Sequence, residues 1–319
     1  MQKWTSLASA LLLFNAAGTE AADPNIPEPI EQLERMLGEE AIEIREAEIS
    51  RPKAKGDITL KAEIAFGSNP PITVKLRKSE PGAESFNNIP RYDIAAYELQ
   101  KLLMPPSEYV VPPTTLRMIP LAEFQKYSPN VRPTFKGADE VLGVIQYWLH
   151  EVKVIEDVLK PDLFASDAVY ARHIGQLNVF TYLIEHGDSN AGNFLLSRSE
   201  PGPRVFSIDN GVAFANNESD RGDLWRSMRV DRLPADTVQR LRGLTLKTLE
   251  ARLGVLAQWQ LRDGRFEAVP LGANLSRHRG VRRQDNAVQM GLTQNEIKRI
   301  WRQSQSLLKM VDRGKIGTN

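Results

Sequence analysis

The chain has 319 residues and a nearly balanced charge, 41 Lys and Arg against 40 Asp and Glu, so no global basic field recruits nucleic acid. It has no cysteine, which excludes disulfides, Cys-ligated zinc, iron–sulfur clusters and a thiol nucleophile; four histidines offer little for a His-rich metal site. With 41% hydrophobic and 25% charged residues the composition is globular, and the length suits one domain of two lobes or two small domains.

Lys3 precedes an apolar stretch over residues 7–17, and small residues follow at Thr19, Ala21 and Ala22. The pattern predicts a secretory signal peptide, residues 1–22, and hence an exported protein; a buried N-terminal helix is the alternative. The apolar run is short for a bilayer, so no stable membrane insertion is expected after signal removal.

Ile30, Leu33, Met36 and Leu37 fall at helical spacing. Short apolar runs at residues 58–60 and 62–66, a Gly-Ser-Asn-Pro-Pro turn, and an alternating run at 72–76 predict paired strands. Residues 92–103 read as a helix stopped by Pro105 and Pro106. Prolines make residues 109–116 an edge strand, and residues 141–149 read as a buried strand. A helix is expected over 166–184, its apolar side including Val169, Ile174, Leu177 and Phe180. Two short strands, 194–196 and 205–208, follow as a hairpin. Helices are expected from residue 224 to 253 and from 293 to 311, with the basic run 277–283 between them as a solvated loop or an anion patch. Strands first and helices later predict an α+β protein: a small mixed β-sheet N-lobe over 23–145 and a mainly helical C-lobe over 146–319.

The chemistry-bearing segment is residues 186–214. A polar, Gly-containing loop holds Asp188, Asn190 and Asn193, and the hairpin that follows returns the chain to Asp209, Asn210 and Gly211. Asp, Asn and Gly are also what ordinary turns prefer. Two such turns, each with an acid at a hairpin end, point instead to a site of hard oxygen ligands suited to Mg2+ or Mn2+. Asp188 alternatively orients or deprotonates an attacking hydroxyl.

Gly187-Asp188-x-x-x-x-Asn193-Phe-Leu followed by Ile208-Asp209-x-Gly211 resembles the catalytic and metal-binding loops of phosphatidylinositol-kinase-like members of the protein-kinase-like fold. Upstream, residues 86–103 and 109–114 resemble the regulatory-helix region of secretory-pathway kinases of the Golgi casein kinase and four-jointed type and their bacterial relatives. The resemblance covers roughly residues 58–253. It implies a bilobal protein-kinase-like fold and an ATP- and divalent-metal-dependent phosphotransferase acting on a hydroxyl of a protein, glycan or lipid. It further implies Asp188 as the catalytic acid, Asn193 and Asp209 as metal ligands, and Lys75 on the phosphates, paired with Asp93 from the helix. The adenine hinge would lie near residues 146–149. Lys78 competes with Lys75 for the phosphate role.

The departures are Ser189 and Asn190 where the lipid-kinase pattern has Arg-His, Asp93 for Glu, Asn210 for an aromatic or His, and only Gly56 in the expected phosphate loop, residues 53–57. A pseudokinase scaffold and a nucleotidyl transferase on the same fold remain as alternatives. A serine hydrolase built on Gly187-Asp188-Ser189 lacks both a Gly-x-Ser-x-Gly and a placed histidine. Trp225, Arg226, Arg229 and Arg232 either face an acidic acceptor or line a solvated helix with a Trp in the core.

Overall fold

The computed structural model describes residues 23–50, 58–85, 89–199, 201–214, 222 and 224–319. The expected signal peptide and the expected phosphate loop at 53–57 lie outside the described residues.

The chain is α+β. Helix α1 (Ile30–Glu39) turns Leu33, Met36 and Leu37 inward, as the spacing of its apolar residues requires. Strands β1 (Ile42–Ile49), β2 (Thr59–Phe66) and β3 (Ile72–Lys78) then form an antiparallel meander. Helix α2 (Pro90–Gln100) crosses to β4 (Thr114–Pro120), short α3 (Leu121–Gln125) and β5 (Glu140–Tyr147). The five strands make one sheet in the order β1-β2-β3-β5-β4. β4 lies at the edge, as the prolines before it demand, although it begins at Thr114, after those prolines rather than through them.

The two faces of this sheet follow the strand period of two. Val74, Leu76, Val141 and Ile145 pack on one face with Met36, Leu37 and Phe124. Leu142 and Val144 face the other way, into the core that holds α2.

After the sheet come β6 (Val152–Val154), α4 (Pro161–Ser166), α5 (Ala168–Ile184), β7 (Phe194–Ser197) and β8 (Val205–Ser207). β6, β7 and β8 make a small antiparallel sheet. The side chain of Asp167 caps α5 by accepting the N–H of Tyr170, and Glu185 ends the helix in the left-handed conformation. Val169 is exposed, at 52%, so the apolar side of α5 begins one residue later, at Tyr170.

β9 (Arg232–Leu233), α6 (Ala235–Gly243) and α7 (Leu246–Leu253) follow. The C-terminal half then departs from the mainly helical expectation. β10 (Ala257–Arg262), β11 (Arg265–Ala268), β12 (Val281–Gln284) and β13 (Ala287–Met290) form a four-stranded antiparallel sheet in the order β11-β10-β13-β12. Helix α8 (Gln294–Asp312) is opened by a capping box between Thr293 and Glu296, and β14 (Gly317–Thr318) pairs with β9. The basic run 277–283 is not wholly solvated. Arg282 within it is 2% exposed and donates to the carbonyls of Arg279, Gly254 and Leu292 at 2.6–2.9 Å.

Candidate active site

Lys75 and Arg77 alternate on β3, so both point to the face that α2 covers. Their cross-strand neighbours on β5 are Gln146 and Val144, and these four residues with Asp93 line one crevice. Arg77 is almost fully buried and forms an ion pair with Asp93, in the first turn of α2. Lys75 forms an ion pair with Asp209, and Arg77 stands 3.9 Å from that same carboxylate. The expected pairing of Lys75 with Asp93 is therefore corrected. The longer arginine, two residues along the strand, meets the short Asp93, and the lysine turns to the loop after β8. Lys78 points to the opposite face and pairs with Glu80 at 2.7 Å, which separates it from this crevice.

The two polar loops are laced together by backbone hydrogen bonds. Gly187 N–H donates to the Val212 carbonyl at 2.9 Å, Ile208 N–H to the Asn193 carbonyl at 2.9 Å, and Phe214 N–H to the Ile184 carbonyl at 2.5 Å. The hairpin thus brings Asp188, Asn193 and Asp209 into one neighbourhood, as its sequence requires. Asn193 Nδ2 donates to the Asp188 carbonyl at 2.6 Å, and Asn190 Nδ2 donates to Asp188 Oδ1 at 2.7 Å. These bonds fix the loop while using only one carboxylate oxygen of Asp188.

Asp209 has φ +57°, in the left-handed region that an L-residue enters only under constraint. The next residue, Asn210, is fully buried, and its Oδ1 accepts the Ser207 hydroxyl at 2.9 Å. This buried anchor holds the turn that aims Asp209 at Lys75, and it gives the polar side chain at this position a structural role. Gly211 lies flat against the buried ion pair. A Cβ there would stand 3.1 Å from the Arg77 guanidinium and 3.3 Å from Asp93 Oδ2.

His186 is fully buried, with its ring packed against Phe194 and its Nδ1 accepting the Asp188 N–H at 3.3 Å. Burial pushes its imidazole down to about 4, so it supports the loop as a neutral group. Ser189 is spent structurally. Its hydroxyl donates to the Gly222 carbonyl at 2.9 Å and accepts the Trp225 N–H, so it is held in the loop rather than presented as a nucleophile. The basic residues after the second loop are likewise engaged in the fold. Arg229 forms a two-pronged pair with Asp157 at 2.7–3.0 Å and covers the Trp225 ring. Arg232 bonds the Phe164 carbonyl, and Arg226 the Glu185 carbonyl at 3.3 Å. Trp225 is 2% exposed, in the core.

Among the described residues no group of three or more His, Asp or Glu side chains converges as a metal cage. The oxygen donors of Asp209 and Asn193 nonetheless suit a hard divalent cation that takes its remaining ligands from phosphate and water. Arg77 is the participant that sequence reasoning missed; its alternation with Lys75 on β3 carried the signal. A larger, open groove of about 880 Å³, with Arg132, Lys136 and Arg283 among its lining residues, lies apart from Asp188 and Asp209. No family model matches this chain, and no curated protein matches it significantly.

Proposed function

We propose that this protein is an ATP- and Mg2+- or Mn2+-dependent phosphotransferase with a bilobal, protein-kinase-like fold, resembling phosphatidylinositol-kinase-like and secretory-pathway kinases. The five-stranded sheet with α2 forms its nucleotide lobe, residues 23–145, and residues 146–319 form the lobe of the two loops. Its acceptor is a hydroxyl of a protein, glycan or lipid. The apolar stretch over residues 7–17 supports export, and no described helix is long and apolar enough to cross a membrane.

The observation that carries the reading is the cationic pair Lys75 and Arg77 converging on Asp209 and Asp93, beside a loop that presents Asp188 and Asn193. Phosphoryl transfer asks a protein mainly to position groups and neutralise charge. A bound divalent cation would neutralise phosphate charge, held by Asp209 and the Asn193 side chain. Lys75, now paired with Asp209, would supply its ammonium to the phosphate oxygens. Arg77 stays with Asp93, and that pair fixes the floor under Gly211. Asp188 orients the acceptor hydroxyl and holds its proton. One observation favours a second reading: Lys75 already neutralises Asp209, as in a pseudokinase that binds without a metal.

Asp188→Asn separates the two. It keeps size and hydrogen bonding and removes charge and basicity. ATP hydrolysis at saturating Mn2+ is expected to fall about 10²-fold or more, with nucleotide binding largely retained. Equal rates in parent and variant would contradict the catalytic role and favour the pseudokinase.

A further inference from the structure

Helix α2 is enclosed on every side: all of its residues but Glu98 are buried. Three consecutive residues of its first turn meet three separate parts of the chain. Asp93 pairs with Arg77 on β3. The Tyr92 ring packs against Phe214, just past the Asp209 loop, at 5.2 Å between centroids, and its hydroxyl donates to Glu296 at 2.5 Å. Arg91 reaches the same Glu296 with two parallel bonds of 2.8 and 3.0 Å.

Glu296 lies more than two hundred residues along the chain, in the first turn of α8, where it also accepts the Thr293 N–H at 2.7 Å and so closes that helix's capping box. The space for the arginine is built in. A Cβ at Gly280 would fall 2.0 Å from Arg91 Nε, so only glycine permits the guanidinium to lie there. The far end of α2 is tied to the C-terminal half as well, through Glu98 and Arg252 at 2.5 Å. A two-pronged, nearly buried arginine–carboxylate pair fixes orientation as well as distance.

We infer that the Arg91–Glu296 pair is a positioning device: it sets the first turn of α2, and through Asp93 and Tyr92 it places Arg77 and the loop of Asp209. The C-terminal helix thereby governs the geometry of the candidate site without touching anything bound there. The structural part stands on contacts alone, while its effect on turnover rests on the phosphotransferase reading.

Glu296→Gln is the test, because glutamine still closes a capping box while the charge that α8 offers Arg91 is gone, leaving the guanidinium only Glu84, at 3.1 Å, among its described carboxylate partners. Amide hydrogen exchange in the nucleotide-free chain is expected to accelerate roughly tenfold or more over residues 90–97 and 211–214, with residues 297–308 unchanged. Acceleration confined to α8, or none in α2, would overturn the inference. Tyr92→Phe, which removes one donor and keeps the ring on Phe214, is expected to give the same pattern more weakly, and serves if the first variant does not fold. In turnover, Glu296→Gln is expected to lower kcat by about 10–100-fold, as the loss of an outer supporting contact does. In an Asp93→Asn background the same change should cost far less, since both act through one helix turn. Equal costs in the two backgrounds would contradict the coupling. A parent that turns over no ATP defeats the phosphotransferase reading alone, because the exchange experiment decides the positioning role without nucleotide.

Discussion

At the scale of single residues, charge in this protein is placed by what surrounds it. Lys75 and Arg77 differ by one strand repeat, yet one meets a loop acid that is about a third exposed and the other a buried helix acid. Arg282 is the clearest case of an ionic group used for its geometry. Among the described residues no carboxylate is hydrogen-bonded to it; it serves the carbonyls of Arg279, Gly254 and Leu292 and the side chain of Gln289. Burial pushes its guanidinium down to about 10, which leaves it charged at neutral pH. Arg282→Met fills similar volume and strands the carbonyls of Arg279 and Leu292, while Gly254 and Gln289 keep donors in Asn274 and Leu275. Unsatisfied buried acceptors cost about 1–3 kcal/mol each, so urea denaturation should show a loss of about 2 kcal/mol or more. A loss under about 1 kcal/mol would mean that water replaces the guanidinium.

At the scale of elements, the legible parts of the sequence were those whose period and punctuation agree. The 186–214 hairpin is legible because a helix, two short hydrophobic strands and Asn-, Asp- and Gly-bearing turns direct the chain to fold back on itself. β1 is not legible, since Ile-Glu-Ile-Arg-Glu-Ala-Glu-Ile is rich in glutamate, its register shifts between Ile44 and Glu46, and as an edge strand it buries little. The β10–β13 sheet escaped for a related reason. Its strands are short and polar, with Trp259, Phe266, Val288 and Met290 as their buried apolar residues. Val169 broke the expected α5 pattern, but the rest of that helix buries its predicted side. α5 also carries His173, and His186 follows its end; burial holds both at about 4, below the ordinary 6.5. An unfolded chain takes up protons at both sites that the folded chain refuses. Stability is therefore expected to fall as pH drops from about 6.5 to 4, by up to about 1.4 kcal/mol per pH unit for each histidine, and to be free of this contribution above 7. Denaturation midpoints across that window check the slope, and His173→Gln should reduce it by about half; an unchanged slope would contradict the assignment.

At the scale of the whole molecule, the N-terminal sheet and the C-terminal half meet at more than the passage after Tyr147. Phe135 stacks edge-on against Phe266 at 5.8 Å, and Glu140 accepts the Phe266 N–H at 2.7 Å. Gly137, at φ +105°, lies close under Leu261. With the Arg91–Glu296 pair, these contacts bind the two halves on the side of β11 and α8, while at the crevice the halves meet through the Lys75–Asp209 ion pair. On the proposed function, this crevice takes a nucleotide with a divalent cation. The most direct measurement is the thermal unfolding midpoint of the parent and of Asp209→Ala, each with ATP alone, Mn2+ alone and both together. A ligand that binds only the folded chain at a hundred times its dissociation constant adds about 2.7 kcal/mol of stability. The parent is expected to rise by several degrees with Mn2+ and ATP together, and Asp209→Ala, folded and near its parent's midpoint without ligand, is expected not to rise. Equal stabilisation of both chains, or none in the parent, would contradict the account.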